Sequence, residues 1–383
     1  MPHRHAWAVI AFFLLGGLEL AATPQFARQY QLDCSYCHVA PPRLNERGLA
    51  FLANGYRFEG IRPMPSHSTV PVAVWNTFDV EARHSADFTK GFPGRVEILS
   101  SGPIGGRGAA YFIEWRALSL SVGGNGHLVN RSGRFEDLFV RIPVSSSSGL
   151  SLTAGQFRAL NQIDVSQRLG LSEPLAFSSS LPSATAASSS RLTSLRAFSP
   201  SGRQPAVRLE YQQRTDRSPG DGWFAGVTLP LAGELTIPFT DAASFELEGR
   251  LKGVFVEAFR RSGTNTFGAH AFAGDDRRLA SLAVTRDLTP RFMIMAAAGR
   301  FWAPTSADMR FSVGGEYTVS RALAAGIRYD DRTAPNTPAA VLLYGNVHLP
   351  FGPAAFRQAL RLQIEQRVQR RGHTTALALS HVF

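Results

Sequence analysis

Apolar and polar residues alternate along most of the chain, from about residue 70 to residue 383. In one clear stretch, Leu360 and Leu362 fall on one face, whereas Arg361 and Gln363 fall on the other. A period of two places successive side chains on opposite faces of a β-strand. The pattern therefore predicts half-buried strands and no helix through this part of the chain.

Residues 245–255 show the same alternation. The apolar face consists of Phe245, Leu247, Leu251 and Phe255, opposite Glu246, Glu248, Arg250 and Lys252. Such segments run for roughly 9 to 16 residues and end at turn signals such as Ser-Gly-Pro at 101–103. The whole region predicts about 16 strands.

A soluble sandwich and a membrane barrel could both use these strands, and three features favour the barrel. The segments are long enough to span a bilayer when tilted, which takes about 9 to 11 residues. Their polar faces are rich in arginine and glutamate, which suits a wet lumen. The last strand ends at Phe383, which is typical of Gram-negative outer-membrane barrels. The predicted fold is all-β, a closed transmembrane antiparallel barrel over residues 69–383, in the outer-membrane lipid of a bacterium.

The longest gap between strands spans residues 161–204 and is rich in serine. It follows the fifth predicted strand, which places it at the extracellular end if the first strand rises from the periplasm. It could be a lid, a docking surface for an electron donor, or a flexible polar loop.

Residues 1–23 have the features of a secretory signal peptide. A weakly basic start precedes an apolar run from Ala6 to Leu18, and small residues follow at 21–23. No other apolar run approaches the roughly 20 residues that a membrane helix needs. We expect an exported protein without a helical anchor.

The net charge of +11 comes almost entirely from arginine, because Lys90 and Lys252 are the only lysines. These arginines are scattered along the alternating segments and are not clustered on one helix. Scattered positive charge on an exported protein argues against nucleic acid as a partner.

Cys34-Ser35-Tyr36-Cys37-His38 is a Cys-x-x-Cys-His motif and contains both cysteines of the chain. A thioredoxin-like pair would need a βαβ context, and a zinc site would need further ligands at short spacing. The motif therefore predicts one covalent haem c, bound through Cys34 and Cys37, with His38 as an iron ligand.

Residues 24–68 are predicted to form a small monohaem cytochrome c module. A short helix is expected over residues 43–53, and the module is too small to bury a sizeable core alone. We expect it to lie in or against the lumen as a plug. Met64, between two prolines, is the first candidate for the second iron ligand, and His67 is its rival. Remoter candidates are His84, Met293, Met295 and Met309.

The N-terminal module resembles the outer-membrane fused monohaem cytochrome–porins, which are implicated in iron(II) oxidation. The resemblance covers about 35 residues: Pro24-Gln25-Phe26-Ala27-Arg28, the haem motif, Pro42-x-Leu44, Gly48, Phe51, Gly55 and Tyr56. It implies that electrons enter from an extracellular donor, expected to be Fe(II), and leave to a periplasmic c-type cytochrome or similar carrier. As an enzyme, such a protein would be an Fe(II):cytochrome c oxidoreductase.

Two other functions remain open from the sequence. One is an arginine-lined anion porin with a structural or regulatory haem plug. The other is a haem-bearing terminal reductase or sensor with an open sixth site. Conductance would test the first, and carbon monoxide binding to the reduced protein would test the second.

Overall fold

The computed structural model describes most of the chain after residue 24. The described residues are 25–64, 71–83, 94–105, 108–122, 128–130, 132–145, 148–163, 169–170, 174–177, 200, 202–213, 221–235, 245–274, 277–304, 306–333, 339–351, 358–370 and 372–382. The predicted signal peptide and Phe383 lie outside them.

The strands after residue 71 form a closed antiparallel barrel. They are β3 (Val72–Arg83), β4 (Arg95–Ile104), β5 (Ala109–Val122), β6 (Leu128–Asn130), β7 (Arg134–Pro143), β8 (Leu150–Arg158), β9 (Arg203–Gln212), β10 (Gly222–Leu235), β11 (Phe245–Leu251), β12 (Gly253–Ser262), β13 (Asn265–Gly274), β14 (Arg278–Thr289), β15 (Phe292–Ala303), β16 (Ser306–Thr318), β17 (Leu323–Arg332), β18 (Ala340–Phe351), β19 (Gln358–Gln369) and β20 (Gly372–Val382).

Two of the barrel's strands are each broken into two segments. Both β6 and β7 pair with β5, and both β11 and β12 pair with β10. Strand β20 pairs with β3, which closes the ring. The predicted fold is therefore confirmed as a closed 16-strand barrel.

The alternation in the sequence matches the two faces of the wall. On β9, Leu209 is 49% exposed, whereas Arg208 and Glu210 are buried. On β17, Ile327 is exposed and Arg328 is buried. Apolar side chains point outward to lipid and charged side chains point into the lumen, as expected for an outer-membrane barrel.

The prediction for Phe255 was wrong. Leu251 is exposed as expected, but Phe255 is fully buried and faces the lumen. The strand is interrupted at Lys252, whose N–H donates to the carbonyl of Pro230, and Gly253 has a positive φ of 143°. An irregularity of one residue exchanges the faces of all residues that follow it.

The described N-terminal residues form short elements. They are α1 (Gln25–Tyr30), the 3₁₀ turn η1 (Cys34–Tyr36), β1 (His38–Ala40), β2 (Arg43–Leu44) and α2 (Glu46–Ala53). Helix α2 begins later than the predicted residue 43, because the Asn45 side chain caps it by accepting a hydrogen bond from the Gly48 N–H. Among the described residues, no helix has the length and hydropathy to cross a membrane.

The N-terminal elements lie inside the end of the barrel that carries Val72 and Val382, which we call the terminal end. Arg43 forms an ion pair with Asp287, close to the turn between β14 and β15. The Arg141 guanidinium donates to the carbonyl of Ala53 at 3.1 Å. We call residues 25–64 the plug.

The long connection after the fifth strand enters the lumen from the opposite end. Its described parts pack against the inner wall: Leu160 and Phe177 belong to one apolar cluster with Phe255 and Phe301. Leu169 packs with Ala40 of the plug in a second cluster. The connection was predicted to lie outside the cell, whereas its described parts fold back into the barrel and meet the plug.

Candidate functional site

The Cys-x-x-Cys-His motif is a tight turn held by hydrogen bonds within the plug. In η1, the Cys37 N–H donates to the Cys34 carbonyl at 3.2 Å. Asn45, which begins α2, donates through its side chain to the Tyr36 carbonyl at 3.0 Å and through its backbone to the Cys37 carbonyl at 2.8 Å. The start of α2 and the motif are therefore one local unit.

Both cysteines of the motif are free thiols, and Cys34 is buried. Burial is the main cause that raises the pKa of the Cys37 thiol to about 12; the nearby Cys34 also raises this pKa, whereas Arg47 lowers it.

The His38 ring is oriented by the carbonyl of Pro42, which lies 3.2 Å from Nδ1. Because a carbonyl only accepts, Nδ1 carries the proton, and Nε2 keeps its lone pair. Burial is the main cause that lowers the pKa of His38 to about 4; hydrogen bonds with the backbone of Pro42 and Arg43 oppose this shift, and the positive charge of Arg361 adds to it. His38 is therefore a neutral imidazole with Nε2 available to a metal ion.

Aromatic rings surround the motif within the plug. Phe51 of α2 stacks on Phe58 with the ring centroids 4.3 Å apart, and Tyr36 of the motif meets Phe58 edge-to-face at 5.3 Å. Phe26 stacks on Tyr56 at 5.2 Å. These rings give the plug an apolar interior despite its small size.

Strand β18 holds the motif from the outside. The Asn346 side chain donates to the Pro41 carbonyl, and Ala40 packs with Leu342 and Tyr344. These three β18 residues alternate along one strand and face the lumen. Ala40 and Pro41, just after the motif, therefore lie against the inner face of β18.

Two lumen-facing residues that sequence reasoning did not single out lie beside His38. His348 of β18 and Arg361 of β19 are opposite each other in the strand register, and both are buried. The charge of Arg361 acts on both His38 and His348, and the charge of His38 acts on His348. In the sequence both occupy ordinary polar positions of alternating strands, so no local signal marks them.

The residues predicted as the second iron ligand have different surroundings from one another. Met64 is 39% exposed, and its backbone N–H donates to the Gln29 carbonyl at 2.6 Å. His67 and His84 lie outside the described residues. Met293 and Met295 are buried on the lumen face of β15. Within the described ranges, no group of three or more His, Cys, Asp or Glu side chains could hold a metal ion.

The remaining lumen at the terminal end is narrow and rich in arginine. A cavity of about 200 Å³ separates α2 from strands β7 to β12, and Arg141, Arg208 and Arg261 line it. Glu210 pairs with both Arg141 and Arg208. Arg261 lies over the Phe259 ring at 5.2 Å. The plug thus leaves a small positively charged space.

Comparisons with known proteins identify the fold. No family model and no curated protein matches the chain. Among solved structures, Salmonella typhi OmpF in complex with daunomycin matches with a TM-score of 0.52 at 9% identity, covering 82% of this chain and 97% of that chain. Pseudomonas putida OprB, in a high-pH structure, matches with a TM-score of 0.50 at 11% identity, covering 82% and 94%.

The chain has the fold of a porin-like outer-membrane β-barrel. At these identities the similarity concerns the fold alone. It agrees with the closed ring of strands and the lipid-facing apolar belt described above.

Proposed function

We propose that this chain is an outer-membrane electron-transfer protein in which one c-type haem is held by Cys34, Cys37 and His38 inside the terminal end of the barrel. It would pass electrons between an extracellular donor and a periplasmic carrier. The observation that carries the proposal is the His38 ring, whose Nδ1 is engaged by Pro42 and whose Nε2 is left for a metal. The ring belongs to a motif enclosed by the barrel wall.

The residues of the motif fit a c-type haem in three ways. Both thiols are free, so each can add across a vinyl group to form a thioether. Burial keeps His38 neutral, which iron ligation requires. The aromatic rings of the plug supply apolar surface beside the motif. A bound c-type haem would supply one-electron oxidation and reduction.

The two ends of the barrel support an orientation of the protein in the membrane. Outer-membrane barrels have short periplasmic turns and long extracellular loops. The longest connection, residues 159–202, lies at the end opposite Val72 and Val382. This supports a periplasmic terminal end, so the motif would lie nearer the periplasmic carrier, and the inserted connection would lie between the motif and the outside.

Fe(II) is the first donor to test. The resemblance of the plug to fused cytochrome–porins suggests it, and this assignment is part of the proposal. Because the described residues hold no cluster of metal-binding side chains, Fe(II) would be oxidised as a passing substrate and not stored at a built site.

The experiment uses the detergent-purified full-length protein. We expect a haem that stays attached on a denaturing gel, a pyridine haemochrome typical of two thioether bonds, and reduction of the haem when Fe(II) is added. The Cys34→Ala and Cys37→Ala double variant is expected to lack covalent haem. Protein without pigment after expression with a cytochrome c maturation system would disprove the proposal. If the protein is pigmented but Fe(II) does not reduce the haem, only the assignment of Fe(II) as the electron donor is excluded.

An anion porin is the second candidate, because Arg141, Arg208 and Arg261 line the cavity beside the plug. A lumen lined by arginine favours anions over cations. Single-channel recordings in planar bilayers separate the two functions. The electron-transfer protein is expected to pass little current, whereas a porin would show large chloride-selective steps.

A further inference from the structure

His348 is a buried histidine without a hydrogen-bond partner among the described residues. It lies on the lumen face of β18 and is 8% exposed. Neither Nδ1 nor Nε2 of its ring is hydrogen-bonded among the described residues. Buried polar atoms are nearly always paired, because leaving them unpaired costs free energy. An imidazole enclosed in this way therefore indicates a partner of another kind.

The contacts around His348 place it beside the haem motif. Asn346, two residues earlier on the same face, donates to the Pro41 carbonyl. Arg361, opposite His348 on β19, donates from Nε to Asn346 Oδ1 at 3.3 Å. His348 and His38 are also close enough to influence each other electrostatically. One histidine of the plug and one of the wall thus lie in the same region of the terminal end.

Arg361 adds a buried guanidinium beside His348. It is buried, and no carboxylate of the described residues pairs with it; its hydrogen bond goes to Asn346. The nearby lumen arginines differ, since Arg328 pairs with Asp330 and Arg310 with Asp308. A buried guanidinium is stabilised by a bidentate carboxylate, and a haem carries two propionate carboxylates.

We propose that His348 is the second axial ligand of the haem iron and that Arg361 binds a haem propionate. This inference rests on the proposed function. The iron would then have two imidazole ligands, His38 from the plug and His348 from the wall. The covalently attached cofactor would join the plug to β18.

Two imidazole ligands give properties that differ from those of a His/Met pair. The iron is low-spin with no open position, so the reduced protein does not bind carbon monoxide. Thioether ligation raises the reduction potential, so a bis-histidine haem has a lower potential than its His/Met counterpart. Met64, which is two-fifths exposed, would not be a ligand.

The test compares five purified holoproteins: wild type, His348→Ala, His348→Met and two controls. The controls are Met64→Ala and His270→Ala, because His270 is also a buried lumen histidine but accepts or donates a hydrogen bond with Ser281 at 3.4 Å. Each protein is examined by ferric EPR, optical spectroscopy, carbon monoxide titration and potentiometry.

We expect wild type and both controls to be low-spin, without a long-wavelength thioether–iron band and without carbon monoxide binding. His348→Ala should bind carbon monoxide stoichiometrically and acquire a high-spin ferric signal. His348→Met should gain the thioether band and a higher reduction potential. All four histidine and methionine variants should keep the covalent haem on a denaturing gel.

Several results would overturn the inference. A thioether band in wild type that Met64→Ala removes would identify Met64 as the ligand. A His348→Ala protein with an unchanged low-spin spectrum would exclude His348. If His348→Ala does not fold, the wild-type spectra and His348→Met still decide. Failure of the proposed function is distinct from these outcomes, because wild type itself would then carry no covalent haem.

Discussion

Gly48 allows helix α2 to pack directly on the Cys-x-x-Cys-His turn. A Cβ atom at this position would lie 2.4 Å from the Cys37 carbonyl oxygen and 2.7 Å from a methyl group of Leu44. Real Cβ atoms do not approach other atoms so closely. A glycine is therefore required where the helix meets the motif.

The Gly48→Ala variant is expected to push α2 away from the motif. Overpacking of this kind costs about 1–3 kcal/mol, and we expect the plug to be destabilised by that amount. Haem content per polypeptide, measured after maturation in cells, should fall. Gly345→Ala is the control, because its Cβ would meet nothing closer than 4.0 Å. Equal haem content in the two variants would contradict this interpretation of Gly48.

The plug is attached to the barrel through a small number of buried polar contacts. The ion pair between Arg43 and Asp287 joins β2 to β14, and Arg43 is 2% exposed. Asp287 also accepts a hydrogen bond from the hydroxyl of Thr264. Breaking a buried pair leaves one charge uncompensated, which costs more than the intact pair contributes.

Arg43→Met should therefore loosen the plug strongly, by about 3 kcal/mol, because the Asp287 carboxylate loses its counter-ion. The double variant with Asp287→Leu should recover most of that loss. The urea concentration at which trypsin begins to cleave residues 25–64 would report both changes. A double variant as sensitive to trypsin as the single one would show that the pair is not what holds the plug.

Two segments of the chain lie inside the barrel. The plug lies in the terminal end, whereas the described parts of the connection between β8 and β9 pack against the inner wall from the other side. The ends of that connection meet, because the Leu160 N–H donates to the Pro200 carbonyl at 2.8 Å. Residues 161–199 can therefore be replaced by a short Gly-Ser linker without moving the strands.

Two obstructions in one channel act as resistances in series. Removing one of them should therefore change the conductance less than removing both. Removing residues 161–199 or residues 25–64 alone should change single-channel conductance little, because the other segment remains. Removing both should raise it several-fold. Wild-type conductance equal to that of the double deletion would contradict a filled lumen.

Local pattern was sufficient to predict the architecture. Each strand has its own alternation of apolar and polar residues. Because lipid surrounds the barrel and the lumen is polar, this alternation fixes which side chains face outward and which face inward. The error at Phe255 arose where a break at Lys252 and Gly253 displaced the register by one residue. The start of α2 was misplaced because the capping role of Asn45 depends on a single hydrogen bond.

The Cys-x-x-Cys-His motif is likewise a local signal, since Cys34, Cys37 and His38 lie within five residues and Pro42 orients the ring from four residues away. His348 and Arg361 could not be found in this way. They reach the motif only because the chain closes into a ring and the plug folds back into it. Strand pairing brings residues that are far apart in sequence next to one another, and the alternation within one strand does not encode this pairing. The closed barrel therefore determined which wall residues lie beside the motif.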